Sequence, residues 1–94
     1  YILKASTVEE SKEMYHAKSG DKITVTKSGH RTYVMGAPIM FANSYWEILG
    51  MCIIEESVVS AEKTTLTAKI LTEFTDEEII LVSRVIQEAE KLKA

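Results

Sequence analysis

Residues 46–75 read WEILGMCIIEESVVSAEKTTLTAKILTEFT, and the predicted fold depends on this stretch. Residues 45–56 are almost continuously apolar, which is typical of a strand that is covered on both faces. Gly50 within this run predicts a bulge or a sharp bend. After a polar turn at 60–63, residues 64–73 alternate apolar and polar side chains, as in a strand with one exposed face. We expect these two strands to form the platform of the fold.

The segment after this platform predicts a C-terminal amphipathic helix. Thr75 and Glu78 have the spacing of a capping box, and Phe74 and Ile79 have that of a hydrophobic staple. At 100° per residue, the apolar side chains fall within one arc of about 160°. The residues of this arc are Ile79, Leu81, Val82, Val85, Ile86, Ala89 and Leu92. We therefore expect the apolar arc to pack on the sheet.

The chain begins with a predicted strand followed by a short surface helix. Residues 1–5 form an apolar run of strand length, and whether Tyr1 is the native start is left open. Ser6 or Thr7 can cap a helix over 8–18, with a glutamate three residues on to complete the box. The predicted helix carries only a thin apolar stripe, so we expect it to touch the sheet along one edge.

The next segment predicts a β-hairpin. Residues 22–27 and 30–35 alternate apolar and polar side chains on either side of the turn signal Ser28-Gly29. A three-residue loop places all the large apolar side chains of both arms on one face, whereas a two-residue loop does not. We therefore favour the three-residue loop.

Residues 37–50 are open to two interpretations. Pro38 in a first turn and Gly50 at the end favour a helix. Aromatic and β-branched residues, together with the turn signal Asn43-Ser44, favour two strands. We favour strands, the first over 39–42 and the second after the turn.

Together these elements predict one α+β domain over residues 1–94. Its centre is a curled antiparallel sheet of about five strands, open and barrel-like. The C-terminal amphipathic helix covers the sheet, and the short N-terminal helix lies at one edge. A chain of this length is typical of a single domain.

Composition narrows the classes of function. With 46% hydrophobic and 27% charged residues, the chain is globular rather than disordered. Residues 1–35 carry a net charge of +2 and residues 36–94 carry −5, so wholesale nucleic-acid binding is disfavoured. No apolar run approaches the roughly 18–20 residues of a membrane span, so we expect no membrane partner. A single cysteine excludes an internal disulfide and fits a cytoplasmic location.

An aromatic group offers the first candidate site. Phe41, Tyr45 and Trp46 flank the predicted turn at 43–44, and Glu47 adjoins them. Aromatic side chains around a turn can line a pocket for a small-molecule ligand, or they can close a core. A core role is the more usual one for such side chains, and ligand binding or an interface at these four residues is the functional prediction.

A basic group offers a second candidate site. Lys22, Lys27, His30 and Arg31 lie on or beside the predicted hairpin, and Lys18 precedes it. Gathered at one end, they could bind a phosphate or an RNA backbone. No aromatic residue is interleaved with them, and strands at a sheet edge often carry lysine for solubility.

Catalytic and metal-binding patterns are weak in this sequence. Cys52 lies among apolar residues with no basic neighbour to activate it, which favours a buried structural role. His16 and His30 are the only histidines, and no metal-binding spacing includes them. We therefore predict no cofactor and no metal.

Three functions remain as hypotheses. The first is a small non-catalytic binding or regulatory domain that forms a homo-oligomer through Ile80, an apolar residue among polar ones. The second is an RNA- or phosphate-binding module that uses the basic group. The third is a small enzyme that uses His30 or Cys52.

Overall fold

The computed structural model describes the backbone of residues 2–93 and the side chains of residues 2–91. The predicted roles of Tyr1 and of the Leu92 side chain lie outside this part. Within it an open, five-stranded mixed sheet is combined with two helices, which confirms the α+β class. The elements are β1 (Ile2–Lys4), α1 (Val8–His16), β2 (Lys22–Ser28), β3 (Pro38–Ala42), β4 (Ile48–Ser60), β5 (Lys63–Glu73) and α2 (Asp76–Lys93).

The strands are arranged in the order β1-β3-β4-β5-β2. All neighbouring pairs are antiparallel except β1 and β3, which run parallel, with Leu3 opposite Phe41. A parallel pair needs a crossover connection, and α1 with β2 supplies it here. The antiparallel expectation therefore holds for three of the four pairs.

The predicted hairpin between residues 22–27 and 30–35 is wrong. β2 pairs with β5, with Val25 opposite Leu66, and residues 31–35 form no strand. The backbone N–H of Arg31 donates to Thr64 Oγ1 at 3.0 Å, so it does not pair with β2. Strand β5 offers a longer alternating partner than the short second arm, and non-local pairing overrides the local turn signal.

Residues 37–50 form strands rather than a helix. β3 ends at Ala42, a turn follows, and β4 begins at Ile48, three residues later than predicted. Gly50 lies opposite Phe41, and a Cβ atom added there would come within 2.9 Å of Phe41 Cε1. The register shifts on both sides of this position confirm the predicted bend.

One face of the sheet carries the core, and α1 covers it. Met14 of α1 is buried against this face. Tyr33, in the irregular segment after β2, packs against the same cluster. The buried apolar residues contributed by the strands are Leu3, Ile23, Val25, Ile39, Phe41, Leu49, Cys52, Ile54, Leu66, Ala68 and Ile70.

The curl of the sheet brings its two edge strands close together. The ammonium group of Lys27 on β2 donates to the carbonyl oxygen of Lys4 on β1. Glu10 on α1 accepts from the backbone N–H of Thr26 at 2.9 Å and from that of Ser6 at 2.7 Å. Side chains therefore bridge the edges while the sheet stays open.

Both helices begin at a threonine cap. Glu10 N donates to Thr7 Oγ1 at 3.1 Å. At α2, Glu78 N donates to Thr75 Oγ1 at 3.2 Å and Thr75 N donates to Glu78 Oε1 at 2.8 Å, which confirms the predicted capping box. None of the helices in the described residues is long and apolar enough to span a membrane.

Helix α2 lies against the beginning of β4 and buries only part of its apolar arc. The backbone N–H of Ile48 donates to the buried Ser83 Oγ at 2.8 Å. Ile79 is half-buried against the core, whereas Leu81 and Val85 are 56% and 53% exposed. The helix therefore touches the sheet, but half of the predicted contact surface faces solvent.

Candidate functional site

The turn between β3 and β4 is held in shape by one buried side chain. Asn43 Oδ1 accepts from the backbone N–H groups of Tyr45 and Glu47, each at 3.0 Å. Asn43 Nδ2 donates to Glu47 Oε1 at 2.7 Å. A buried amide that meets several partners at once is costly to disturb, so residues 43–47 form a rigid turn.

Neighbouring elements hold this turn from two sides. Ser44 N donates to Ser11 Oγ on α1 at 2.9 Å, and Gln87 Nε2 on α2 donates to the carbonyl oxygen of Trp46 at 3.4 Å. These contacts connect both helices to a single turn, although the two helices lie far apart in the sequence.

Trp46 has a strained backbone, with φ of 65° in the left-handed region. A residue with a Cβ atom is held there at a cost of about 1–3 kcal/mol, and such residues are concentrated at functional sites. Its ring lies beneath the ammonium group of Lys4, with Nζ 4.9 Å from the ring centroid. A cation at this distance is attracted by the aromatic face. The turn thus presents an indole that is held by a hydrogen bond to its backbone and by the ammonium group over its ring.

A cavity of about 330 Å³ opens between this turn and α2. A volume of this size lies at the lower end of the range for small-molecule sites. Tyr45, which is 70% exposed, and Trp46 line it on the turn side. On the helix side it is lined by Ile86, Gln87 and Glu90. We call this cavity with its five lining residues the aromatic groove.

The four residues of the predicted ligand site have separate positions. Tyr45 and Trp46 line the aromatic groove together. Phe41 is 1% exposed and belongs to the core, and the Glu47 carboxylate is hydrogen-bonded to Asn43. The helix side of the groove comes from residues 86–90, about forty positions further along the chain. Nothing in the local sequence pattern of that helix pointed to this contribution.

The basic residues divide between the two ends of β2. Lys22 forms a 3.4 Å ion pair with Glu55. His30 Nε2 lies 3.1 Å from the carbonyl oxygen of Ala61 and donates to it, and Arg31 Nε donates to Ser28 O at 3.2 Å. His30 and Arg31 therefore lie together at the far end, whereas Lys22 is separate.

Lys27 belongs to the same far end of β2. Burial lowers the pKa of its ammonium group, the carboxylate of Glu10 raises it, and the positive charges of Lys4 and Arg31 lower it further. Three cations thus influence one another there. The ammonium group of Lys27 also donates to a backbone carbonyl, so it is partly engaged within the fold.

The remaining chemical candidates lie apart from both groups. Cys52 is a free, fully buried thiol, and burial raises its pKa to about 12. A thiol with so high a pKa supplies almost no thiolate at neutral pH. Ile80 is 70% exposed on α2. Within the described residues, no group of three or more His, Cys, Asp or Glu side chains could hold a metal ion.

A solved structure is similar to this fold. The crystal structure of protein ytmB from Bacillus subtilis, a structural genomics target, aligns with a TM-score of 0.55 and 17% sequence identity. The alignment covers 80% of this chain and 91% of that one. The chain matches no protein-family model and no curated protein. At this identity the similarity is one of fold.

Proposed function

We propose that this protein is a small non-catalytic binding domain that self-associates and takes a small-molecule ligand in the aromatic groove. The observation that carries the ligand site is the strained, exposed Trp46, which the buried Asn43 and the helix α2 hold against an open cavity. Strain that is kept up by so many contacts fits a surface prepared for a ligand. Self-association is proposed from the exposed apolar side chains of α2, among them Ile80.

The chemistry of the groove favours a flat, largely apolar ligand. Tyr45 and Trp46 offer aromatic faces, Ile86 offers an aliphatic surface, and Gln87 offers an amide. Aromatic pairs contribute about 0.5–1.5 kcal/mol beyond the area they bury. Lys4 beside the indole adds a positive charge that favours an anionic substituent.

The dye 1-anilinonaphthalene-8-sulfonate tests this site, because it combines flat rings with one negative charge. Trp46 is the only tryptophan of the chain, so energy transfer from it reports binding nearby. We expect saturable binding to the native protein that Tyr45→Ala weakens about tenfold, a loss of about 1.4 kcal/mol.

Tyr15→Ala is the matched control, because Tyr15 is another exposed tyrosine, 63% accessible, on α1 and not in the aromatic groove. It should leave binding unchanged. Equal binding by the wild type and the Tyr45→Ala variant would remove the groove as the ligand site.

RNA or phosphate binding is the second candidate function, and the proximity of Lys4, Lys27 and Arg31 favours it. Phosphate contacts make binding strongly salt-dependent. Retention on a heparin column that falls steeply with salt, and that Arg31→Glu abolishes, would support this function. Lys22→Glu, at the other end of β2, is the control. Passage of the wild-type protein through the column at low salt without retention would exclude RNA or phosphate binding.

We also propose a cytoplasmic location. The single cysteine is a free thiol, which suits a reducing compartment. Catalysis is not part of the proposal, because neither Cys52 nor His30 lies in the aromatic groove.

A further inference from the structure

Helix α2 leaves an apolar stripe uncovered. Ile79, Val82 and Ile86 are half-buried on the side that faces the sheet, while Leu81 and Val85 are 56% and 53% exposed. Leu81 and Val85 are neighbours on one side of the helix, so together they form a continuous apolar surface that suits a partner.

The spacing of the stripe suits contact with a second helix. Leu81, Val85 and the exposed Ala89 follow at intervals of four residues and therefore lie along one line. With a rise of about 1.5 Å per residue, the stripe is about 12 Å long. The small side chain of Ala89 allows another helix to approach closely at that end.

A charged edge borders the stripe on one side. Glu77, Arg84, Glu88 and Lys91 follow at intervals of seven, four and three residues, so they also form a line. Their signs alternate from negative to positive along the helix. Among the side chains that the structure describes, one ion pair lies within 4.0 Å, and it joins Lys22 to Glu55. The four charged residues of this edge therefore form no such pair with one another.

We propose that two copies of this chain pair through α2 in antiparallel orientation, with the two-fold axis beside Val85. This inference rests on the proposed self-association and specifies its surface. In this arrangement Glu77 faces Lys91 of the partner subunit, and Arg84 faces Glu88 of the partner subunit. The symmetry axis repeats each pair, so four opposite-charge contacts flank the stripe.

Charge complementarity selects this partner and this orientation. Reversing the edge turns its order of signs into the complementary one. An axis at Val85 leaves each of the four opposite-charge pairs offset by two residues, or about 3 Å along the helix, and brings the two copies of Arg84 equally near each other, so four attractive contacts outweigh one repulsive contact. A parallel pair would place Glu77 against Glu77 and Arg84 against Arg84. Like charges in contact oppose association. A second copy in antiparallel orientation therefore satisfies both the apolar stripe and the charged edge.

The proposed dimer leaves the aromatic groove accessible. Gln87 and Glu90, which line the groove, lie on the side of α2 turned away from the stripe. Self-association and ligand binding thus use opposite sides of one helix, and each can be tested without the other.

Sedimentation equilibrium of charge-swapped variants of the full chain tests the arrangement. Glu77→Lys should weaken the dimer about tenfold, since two attractive pairs become repulsive. The double variant E77K/K91E should restore wild-type affinity. In one chain these positions are about 21 Å apart along the helix, so restoration must come from contact between chains.

Two further variants complete the test. Glu9→Lys makes the same change at the second residue of α1, the position that Glu77 holds in α2, and should leave the dimer intact. Val85→Glu introduces a charge at the axis and should give a folded monomer, with unchanged circular dichroism, because Val85 is exposed.

The outcomes separate this inference from the proposed function. A wild-type chain that stays monomeric at millimolar concentration overturns the pairing and the proposed self-association together. A dimer that Val85→Glu leaves intact, or that E77K/K91E fails to restore, overturns the α2 arrangement while self-association stands. Restoration by the double variant supports it.

Discussion

The two helices contact the same sheet with very different shares of their surface. Helix α1 has nine residues, many of them charged, yet Ser11 and Met14 are buried and Ala17 follows them into the core. Helix α2 has eighteen residues and a wider apolar arc. Among the described residues of α2, however, Ser83 alone has a buried side chain. Burial therefore does not follow the size of the apolar face.

Chain connectivity accounts for the difference. Helix α1 connects β1 and β2, the two edge strands, and side-chain bonds such as that of Glu10 to Thr26 draw these edges together. A helix tied at both ends to a curling sheet is pressed onto its concave face. Helix α2 follows β5 and is tied to the sheet through the hydrogen bond of Ser83 to Ile48 at the beginning of β4, while Leu81 and Val85 on its outer side stay exposed.

Replacing Met14 tests the difference in burial between the two helices and should produce a large change in the free energy of unfolding. Met14→Ala removes a side chain that is 2% exposed and leaves a cavity under α1, so the free energy of unfolding should fall by about 3 kcal/mol. Leu81→Ala in α2 removes a chain of similar size and helix propensity. In dilute solution it should cost less than about 0.5 kcal/mol. Urea denaturation measures both.

Equal losses from these two substitutions would mean that α2 is as firmly packed as α1. A small loss from Met14→Ala alone would mean that α1 is not part of the cooperative core. Either result would contradict the contrast between the helices.

The hydrogen bond of Ser83 tests how α2 is attached. Ser83→Ala leaves the buried N–H of Ile48 without its acceptor, which should cost about 2 kcal/mol. Amide exchange at Ile48 should also become faster. Ser57→Ala, on the exposed part of β4, is the control and should change neither quantity. Unaltered exchange at Ile48 would show that α2 is held by other contacts.

The sequence predicted those elements whose signals are local. The capping box at Thr75 and Glu78 and the alternation over residues 64–73 need only neighbouring residues to be recognised, and both appear as predicted. The strands around Asn43-Ser44 also appear, because the turn residue and its bonds lie within five positions.

Elements that depend on distant partners were predicted less well. The pairing of β2 with β5 joins segments about forty residues apart, and local alternation cannot tell that partner from residues 30–35. The parallel pair of β1 and β3 has no local signature either. Non-local pairing is decided by the packing of the whole sheet.

The aromatic groove shows the same division. Tyr45 and Trp46 could be predicted because exposed aromatic residues flanked a turn signal, but Phe41, with the same chemistry, lies on the inward face of β3. Ile86 and Gln87 belong to the site because α2 crosses the turn, and helical periodicity alone cannot show where a helix crosses.

Alkaline pH reports on the core beneath α1 through the ionisation of one buried thiol. Cys52 belongs to the same buried cluster as Met14, and burial raises the pKa of its thiol from 9.0 to about 12. Between these values the unfolded chain loses a proton that the folded chain keeps. Stability from this thiol is therefore complete below about pH 9 and is lost as pH rises, by about 1.4 kcal/mol per pH unit.

Cys52→Ala should remove this dependence, so the stability of the wild type should fall relative to that of the variant as pH rises from 9 towards 12. The lowered pKa of Lys27 acts with the opposite sign, because there the unfolded chain binds more protons, but it is present in both proteins and cancels. Parallel pH profiles would mean that the thiol ionises equally in both states.

Labelling of Cys52 by a thiol reagent connects this measurement to the two helices. Met14→Ala should speed labelling of Cys52, and Val85→Glu should not, because Met14 belongs to the buried cluster that holds the thiol and Val85 does not.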